Sequence, residues 1–387
     1  MHPEATTRKI MIVAGEASGD LHGAGLVKAM SSIDPALHFY GIGGKKLKEA
    51  GIELMAEAAD MAVVGLTEVI FKLRLILKVM GQLKASLKKT RPDLVILIDY
   101  PDFNLALAGR AKKCGIRVFY YISPQVWAWR KGRIGKIRKV VDKMAVIFPF
   151  EVQLYEKANV DVTFVGHPLL DVVKTKYSRK EAFPKFGLRE GKTTVGILPG
   201  SRPSEVVRLL PEMLKAVEIL TKKLAPVQFI LPVADTLEMD LISSIMRLCP
   251  VEVRVIRHDI YEAISCADIV MVASGTATLE TALLGVPMVI IYKVSPFTYH
   301  IGKMFVNVDH IGLVNIIAGK TIVPELIQEE ANGERIAAEV MDILMDRARM
   351  NNIKEELSQI RNKLGSPGAT ERAARLAYEM IEGKAGG

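Results

Sequence analysis

Residues 267–293, ADIVMVASGTATLETALLGVPMVIIYK, restrict the fold more than any other stretch of the chain. Residues 268–273 form a short, β-branched apolar run bounded by turn residues, the pattern of a strand buried on both faces. Ser274-Gly275-Thr276 follows with small side chains and a permissive backbone, then a helix-forming run over 277–284. Gly285-Val286-Pro287 stops that helix, and 288–292 reads as a second buried strand. A strand, a tight turn and a helix start leave unpaired backbone N–H groups at the carboxyl end of a parallel sheet. Such a place binds anions, phosphate above all. Glu280 lies in the first turns of the helix. It reads either as a complement to the helix dipole or as an acceptor for ligand hydroxyls such as those of a ribose.

The same alternation runs through the whole chain. Strand patterns fall at 8–14, 37–40, 93–98, 115–122, 144–148 and 162–165, and again at 192–198, 228–231 and 251–256. A chain of 387 residues exceeds one ordinary core. The reading is α/β, with two doubly wound domains joined at Gly166-His167-Pro168 and strand ends facing a cleft. The first strand empties into Gly15-Glu16-Ala17-Ser18-Gly19-Asp20, a turn that fits neither a dinucleotide fingerprint nor a P-loop. Glu16, Ser18 and Asp20 serve there either as turn and cap chemistry or as site residues. Asp99 ends the strand over 93–98, where open α/β sheets keep ligands, whereas Asp102, following Pro101, fits helix capping better. Pro203 and the preceding Ser201 mark a helix start that presents Arg202 for a bidentate diphosphate contact. Asn315 is one polar residue in the apolar run 312–319.

The formal net charge of +9 calls for an anionic partner. Basic residues gather at 72–91 and 130–143. Residues 61–80 are apolar around most of a helical circumference, which suits either deep burial or a membrane interface. Trp127 and Trp129 precede the second basic stretch and could stack on a sugar, sit at a lipid surface or simply pack. No apolar run reaches the ~18 residues of a membrane span, and residues 1–9 lack the core of an export signal. Three scattered cysteines fit a reducing cytoplasm without disulfides.

The sequence holds no DxD triplet and its seven histidines do not cluster, so no metal-held diphosphate and no cofactor are expected. Arg202 and backbone N–H groups would then neutralise a leaving diphosphate, which favours group transfer from a nucleotide-activated donor. Asp99 or Glu16 could deprotonate the acceptor hydroxyl.

The motifs IVAGEASGD, IDYPDFN, SPQVWAW, LPGSR, SGTATLE and NIIAGK, in this order, closely resemble the lipid-A-disaccharide synthases. These are inverting glycosyltransferases with two Rossmann-like domains (GT-B type). The resemblance runs from about Arg8 into the C-terminal helices. It implies transfer of 2,3-diacylglucosamine from UDP onto 2,3-diacylglucosamine 1-phosphate, forming a β-1,6 bond. It makes Asp99 the expected base, Glu16 a second candidate, and Arg202, Glu280 and Asn315 the contacts to UDP. Motif positions Ser18, Gly19, Asp20 and His22, with Gln125, Ser201, Gly275 and Thr276, complete the expected substrate-binding set. It further implies an acceptor-side domain over 1–167, a UDP-sugar domain over 168–345, and C-terminal helices over 346–387 packing back on an N-terminal domain of the same or a partner chain. A homodimer, peripheral on the cytoplasmic face of the inner membrane through about 61–91, is the expected assembly, and nucleic acid is not an expected partner. A UDP-N-acetylglucosamine 2-epimerase resembles the same fold, and a non-enzymatic basic protein would explain the charge. The first would need no apolar-basic face, and the second leaves the acidic strand ends unexplained.

Overall fold

The computed structural model describes residues 8–58, 66–124, 131–295, 299 and 310–383. The chain divides into two compact units, Met1–Asp171 with Leu364–Gly387, and Val172–Lys363.

Among the described residues the first unit holds seven strands, all paired in parallel. They are β1 (Lys9–Ala14), β2 (His38–Gly43), β3 (Glu53–Glu57), β4 (Leu94–Ile98), β5 (Arg117–Tyr121), β6 (Lys143–Val146) and β7 (Val162–Phe164), in the order β3-β2-β1-β4-β5-β6-β7. β4, LVILI, is buried throughout and β1 is buried beyond Lys9. Helices cover both faces of such strands, so they need no polar alternation. The chain winds outward from β1 to β3 and then returns to the other side of β1 at β4. The winding reverses between these two strands, and the pair Ala14–Ile98 sets their carboxyl ends side by side.

The helix Leu66–Thr90 buries Val79, Met80, Leu83 and Leu87 against this core. Residues 61–65 lie outside the described residues. On the other side Leu73 and Leu77 are 48% and 63% exposed, next to exposed Arg74 and Lys78. One helix thus holds both readings of the apolar stretch, a core face and a wet apolar face.

The helix Ala369–Glu382 belongs to the first unit and packs on the helix Ala17–Ile33. Its buried face, Ala369, Ala373, Ala374, Ala377 and Ile381, is mostly alanine, so the two backbones approach closely. Arg372 donates to the carbonyls of Val165, Ser366 and Pro367, and Arg117 to those of Met380 and Gly383.

The second unit has six described strands, again parallel. They are β8 (Thr193–Leu198), β9 (Val227–Pro232), β10 (Val253–Ile256), β11 (Ile269–Ala273), β12 (Met288–Tyr292) and β13 (Glu325–Ile327), in the order β10-β9-β8-β11-β12-β13. Here the winding reverses between β8 and β11, which pair Leu198 with Val272. The helix Arg347–Lys363 stays with this unit. Among the described residues no helix is long and apolar enough to cross a membrane.

Candidate functional site

In the first unit the carboxyl ends of β1 and β4 carry Glu16 and Asp99, so the winding reversal brings the two candidate bases to neighbouring strand ends. Asp99 and Tyr100 both adopt left-handed backbone, with φ of 48° and 47°. For residues other than glycine this is strained and needs enforcement from outside. The enforcement is visible. Asn104 Nδ2 donates to Ile98 O at 3.2 Å and to Asp99 O at 2.7 Å, and Tyr120 Oη donates to Asp99 O at 2.5 Å. Pro101 then starts the helix Pro101–Lys113. The Tyr100 ring lies over Gly15, where an added Cβ would stand 2.3 Å from Tyr100 Cγ. Burial, and then the charge of Glu16, push the Tyr100 phenol above its usual range.

The other expected residues of this unit have different surroundings. The Asp20 carboxylate is buried and accepts from the amides of Gly44 (2.6 Å), Lys46 (2.9 Å) and Leu47 (3.1 Å). It caps the short helix Lys45–Glu49 and ties the β1 turn to the β2 turn. Gly19 packs on Ala14 and Ile98. Ser18 is half-buried at the helix start. His22 is buried and pulled down to about 4 by that burial, with the His167 ring 6.5 Å away. Gln125, Trp127 and Trp129 lie outside the described residues.

In the second unit the loop after β8 turns on Gly200 at φ 109°, where an added Cβ would meet Glu205 Oε2 at 2.3 Å. Glu205 Oε2 accepts from the amides of Ser201 (3.2 Å) and Arg202 (3.3 Å), and its Oε1 lies 3.6 Å from the Arg202 guanidinium. Glu205 therefore shapes this loop and holds the exposed Arg202 at the start of the helix Pro203–Lys223. Next to it, after β11, Gly275 adopts φ 154° and ψ −158°, a region open only to glycine. The helix Thr276–Leu283 begins there with no side-chain cap, so its first amides face outward from the strand end. Glu280 follows one turn later and accepts from Tyr261 Oη at 3.1 Å. Burial pushes the Glu280 carboxyl up, partly offset by that hydrogen bond.

Asn315 is fully buried, and its amide is spent within the protein. Nδ2 donates to Val323 O and Glu325 Oε1, and Oδ1 accepts from the amides of Ile322 and Val323. Glu325 in turn accepts from the amides of Ile311 and Gly312, and Ile311 O accepts from Ser274 Oγ. Asn315 is thus linked to the 274–276 turn by hydrogen bonds through Glu325 and Ile311. Among the described residues no three His, Cys, Asp or Glu side chains gather to hold a metal ion.

Sequence reasoning passed over Tyr100, Tyr120 and Tyr261 as site residues. Pro101 was the one signal that the Asp99 turn needed special backbone. Nothing local marks Tyr261 as a partner of Glu280.

The family model described as lipid-A-disaccharide synthetase matches residues 10–380. The chain is 62% identical over 377 residues to the lipid-A-disaccharide synthase of Syntrophus aciditrophicus, covering 97% of this chain and 98% of that one. It is 50% identical to the enzyme of Geobacter metallireducens over the same shares. Among solved structures it is similar in fold to the Neisseria meningitidis UDP-GlcNAc 2-epimerase bound to UDP-GlcNAc (TM-score 0.67, 14% identity, 96% of this chain and 100% of that one). It is likewise similar to the calicheamicin glycosyltransferase CalG4 (TM-score 0.64, 14% identity, 97% and 99%).

Proposed function

Because the chain belongs to the lipid-A-disaccharide synthetase family and is a glycosyltransferase, we propose that its two units divide one transfer reaction between them. The reaction moves 2,3-diacylglucosamine from its UDP donor onto 2,3-diacylglucosamine 1-phosphate, with inversion. The donor nucleotide binds the second unit at the reversal of β8 and β11. The uncapped amides after Gly275, with Thr276, Ser201 and Arg202, take the diphosphate, and Glu280 takes the ribose hydroxyls. As the anomeric bond breaks, negative charge grows on the β-phosphate, where these groups stabilise it without metal ligands. In the first unit Asp99, with Glu16 beside it, accepts the proton of the acceptor's 6-hydroxyl as that oxygen attacks. Ser18, Gly19, His22 and Gln125 belong to the acceptor side of the same proposal, and Asp20 and Asn315 act by holding their loops.

Acylated substrates require a surface where the chains stay out of water. We assign this to Leu73 and Leu77 with Arg74 and Lys78, which would set the protein peripherally on an anionic cytoplasmic leaflet. Homodimer formation belongs to the same proposal, with the C-terminal helices packing on an N-terminal domain of the same or the partner chain.

The uncapped helix start after Gly275, with Arg202 in the loop that follows the neighbouring strand β8, is the observation that carries this reading. UDP release in a defined lipid-transfer assay tests it. Asp99→Ala should abolish release while UDP still binds, and activity should survive excess EDTA. Turnover by Asp99→Ala at the wild-type rate, or an absolute need for added Mg²⁺, would refute the assignment.

A further inference from the structure

Next to Asp99 the first unit holds a cation whose partner is easily displaced. A surface cavity of about 440 Å³ is lined by Asp102, Leu105, Gly132, Arg133 and Lys136. Arg133 Nη2 donates to Asp102 Oδ1 at 2.6 Å, with the arginine side chain 18% exposed and the aspartate 78%. The cation is mostly out of water and its counter-ion mostly in it. A carboxylate held in that way gains little from the pair, because solvent screens it and ordering it costs entropy. An oxyanion of higher charge can take the same guanidinium fork. Lys136 stands exposed three residues on and adds a second positive charge.

The location matters as much as the charge. Asp102 lies three residues beyond Asp99, in the first turn of the helix Pro101–Lys113. Arg133 also lies near enough to the Tyr120 phenol for its charge to act there, and that phenol donates to the Asp99 carbonyl. In a hexose 1-phosphate the carbons that bear the phosphate and the 6-hydroxymethyl group both flank the ring oxygen, which keeps the phosphate close to the attacking 6-hydroxyl without reaching it. A phosphate pocket beside the base, but not on it, is what such an acceptor requires.

We propose that this cavity receives the phosphate monoester of the acceptor, with Arg133 as its fork, Lys136 as a second cation and Asp102 as the counter-ion that gives way. The inference rests on the transferase reading above. A phosphate monoester carries about −1.5 to −2 near neutral pH, against −1 for Asp102, so the exchange is favourable in charge. An anionic lipid headgroup offers the same chemistry, and the test separates the two sources.

The experiment measures UDP release with the phosphorylated acceptor and with its dephosphorylated analogue. It compares wild type with Arg133→Gln, Arg133→Lys, Lys136→Ala and Asp102→Asn. Arg133→Gln should raise KM for the phosphorylated acceptor about ten- to a hundred-fold and leave that for the analogue nearly unchanged. Lys136→Ala should act in the same direction but less. Asp102→Asn removes the competing carboxylate and should lower KM for the phosphorylated acceptor. A purely structural ion pair predicts equal losses on both acceptors, and a loss for Asp102→Asn, which would overturn the proposal. If Arg133→Gln folds poorly, Arg133→Lys and Lys136→Ala carry the same comparison. Co-sedimentation with phosphatidylglycerol vesicles should be unaffected by Arg133→Gln. Lost vesicle binding with intact acceptor discrimination would assign the cavity to headgroups instead. A wild type that releases UDP but shows no preference between the acceptors defeats the pocket alone. A wild type that releases none defeats the transferase reading and the pocket with it.

Discussion

Tyr261 Oη donates to Glu280 Oε1 at 3.1 Å, joining the short helix Ile260–Ser265 to the helix that starts at the 274–276 turn. Burial raises both groups above their usual ranges, and the phenol is the partner that favours the charged carboxylate. If the ionised form accepts the ribose hydroxyls, UDP affinity falls as pH drops through the raised pKa of Glu280. In Tyr261→Phe the fall should begin at higher pH. Glu280→Ala should cost about 1–3 kcal/mol of UDP binding, as for a lost charged hydrogen bond. The sign for folding is opposite. A carboxyl raised in the folded state stabilises it least once ionised, so stability drops as pH rises through that window and Glu280→Gln should melt higher at neutral pH. Calorimetric titration of UDP across pH would show an unshifted profile in Tyr261→Phe if the pairing is irrelevant.

Gly275 stands where an added methyl would meet nothing within 4 Å, yet its backbone is one that other residues avoid. Gly275→Ala should therefore cost about 1–3 kcal/mol of folding stability through strain alone, and UDP binding should fall as the turn re-forms. Wild-type melting and UDP affinity together would show that the turn is not held in this geometry.

Asn315→Ala orphans two buried amides and one carboxylate contact, at about 1–3 kcal/mol for each buried group left unsatisfied. Its UDP affinity should fall in step with its melting temperature. Normal melting with UDP binding lost would mean instead that the side chain itself meets the nucleotide.

Leu73→Ser with Leu77→Ser should cost no more than about 1 kcal/mol of stability, as the two residues are 48% and 63% exposed. Vesicle co-sedimentation should weaken by up to about 1.5–3 kcal/mol for each leucine withdrawn from lipid. UDP binding should be untouched. Undiminished vesicle binding would move the membrane contact elsewhere on the protein.

His22 and His167 are buried with ring centroids 6.5 Å apart and are pulled down to about 4 and about 3, mainly by burial. The unfolded chain takes up these protons near pH 6.5, the ordinary histidine value, and the folded chain resists them. Stability is therefore full above about pH 6.5 and drains away as pH falls toward about 4. Denaturant melts against pH should show this limb, and His22→Gln should flatten it. An unchanged limb in that variant would place the acid sensitivity in other groups.

How much of this was legible in the sequence depended on whether the cause was local. β1, β4, β8, β11 and β12 read directly, because a strand buried on both faces must be an apolar run. β3, ELMAE, and the short β13 escaped, since edge strands carry charges and need no such run. The turn at 274–276 and the placement of Arg202 follow from neighbours a few residues away. The roles of Asp20 and Asn315 did not, because their partners are chosen by tertiary packing. Nothing near Asp20 in the sequence points to the amides of Gly44, Lys46 and Leu47 that surround its carboxylate.

The helix Ala369–Glu382 seals the unit that begins the chain. During synthesis, which runs from the N-terminus at about 5–20 residues per second, the second unit is complete in sequence once Lys363 has emerged. The first unit must wait with the surface of the helix Ala17–Ile33 uncovered until the last helix leaves the ribosome. The contacts that complete the first unit thus join the earliest-made and the latest-made of the described helices. A nascent chain stalled before residue 369 would expose that apolar seam, and chaperones or a second nascent copy could reach it first.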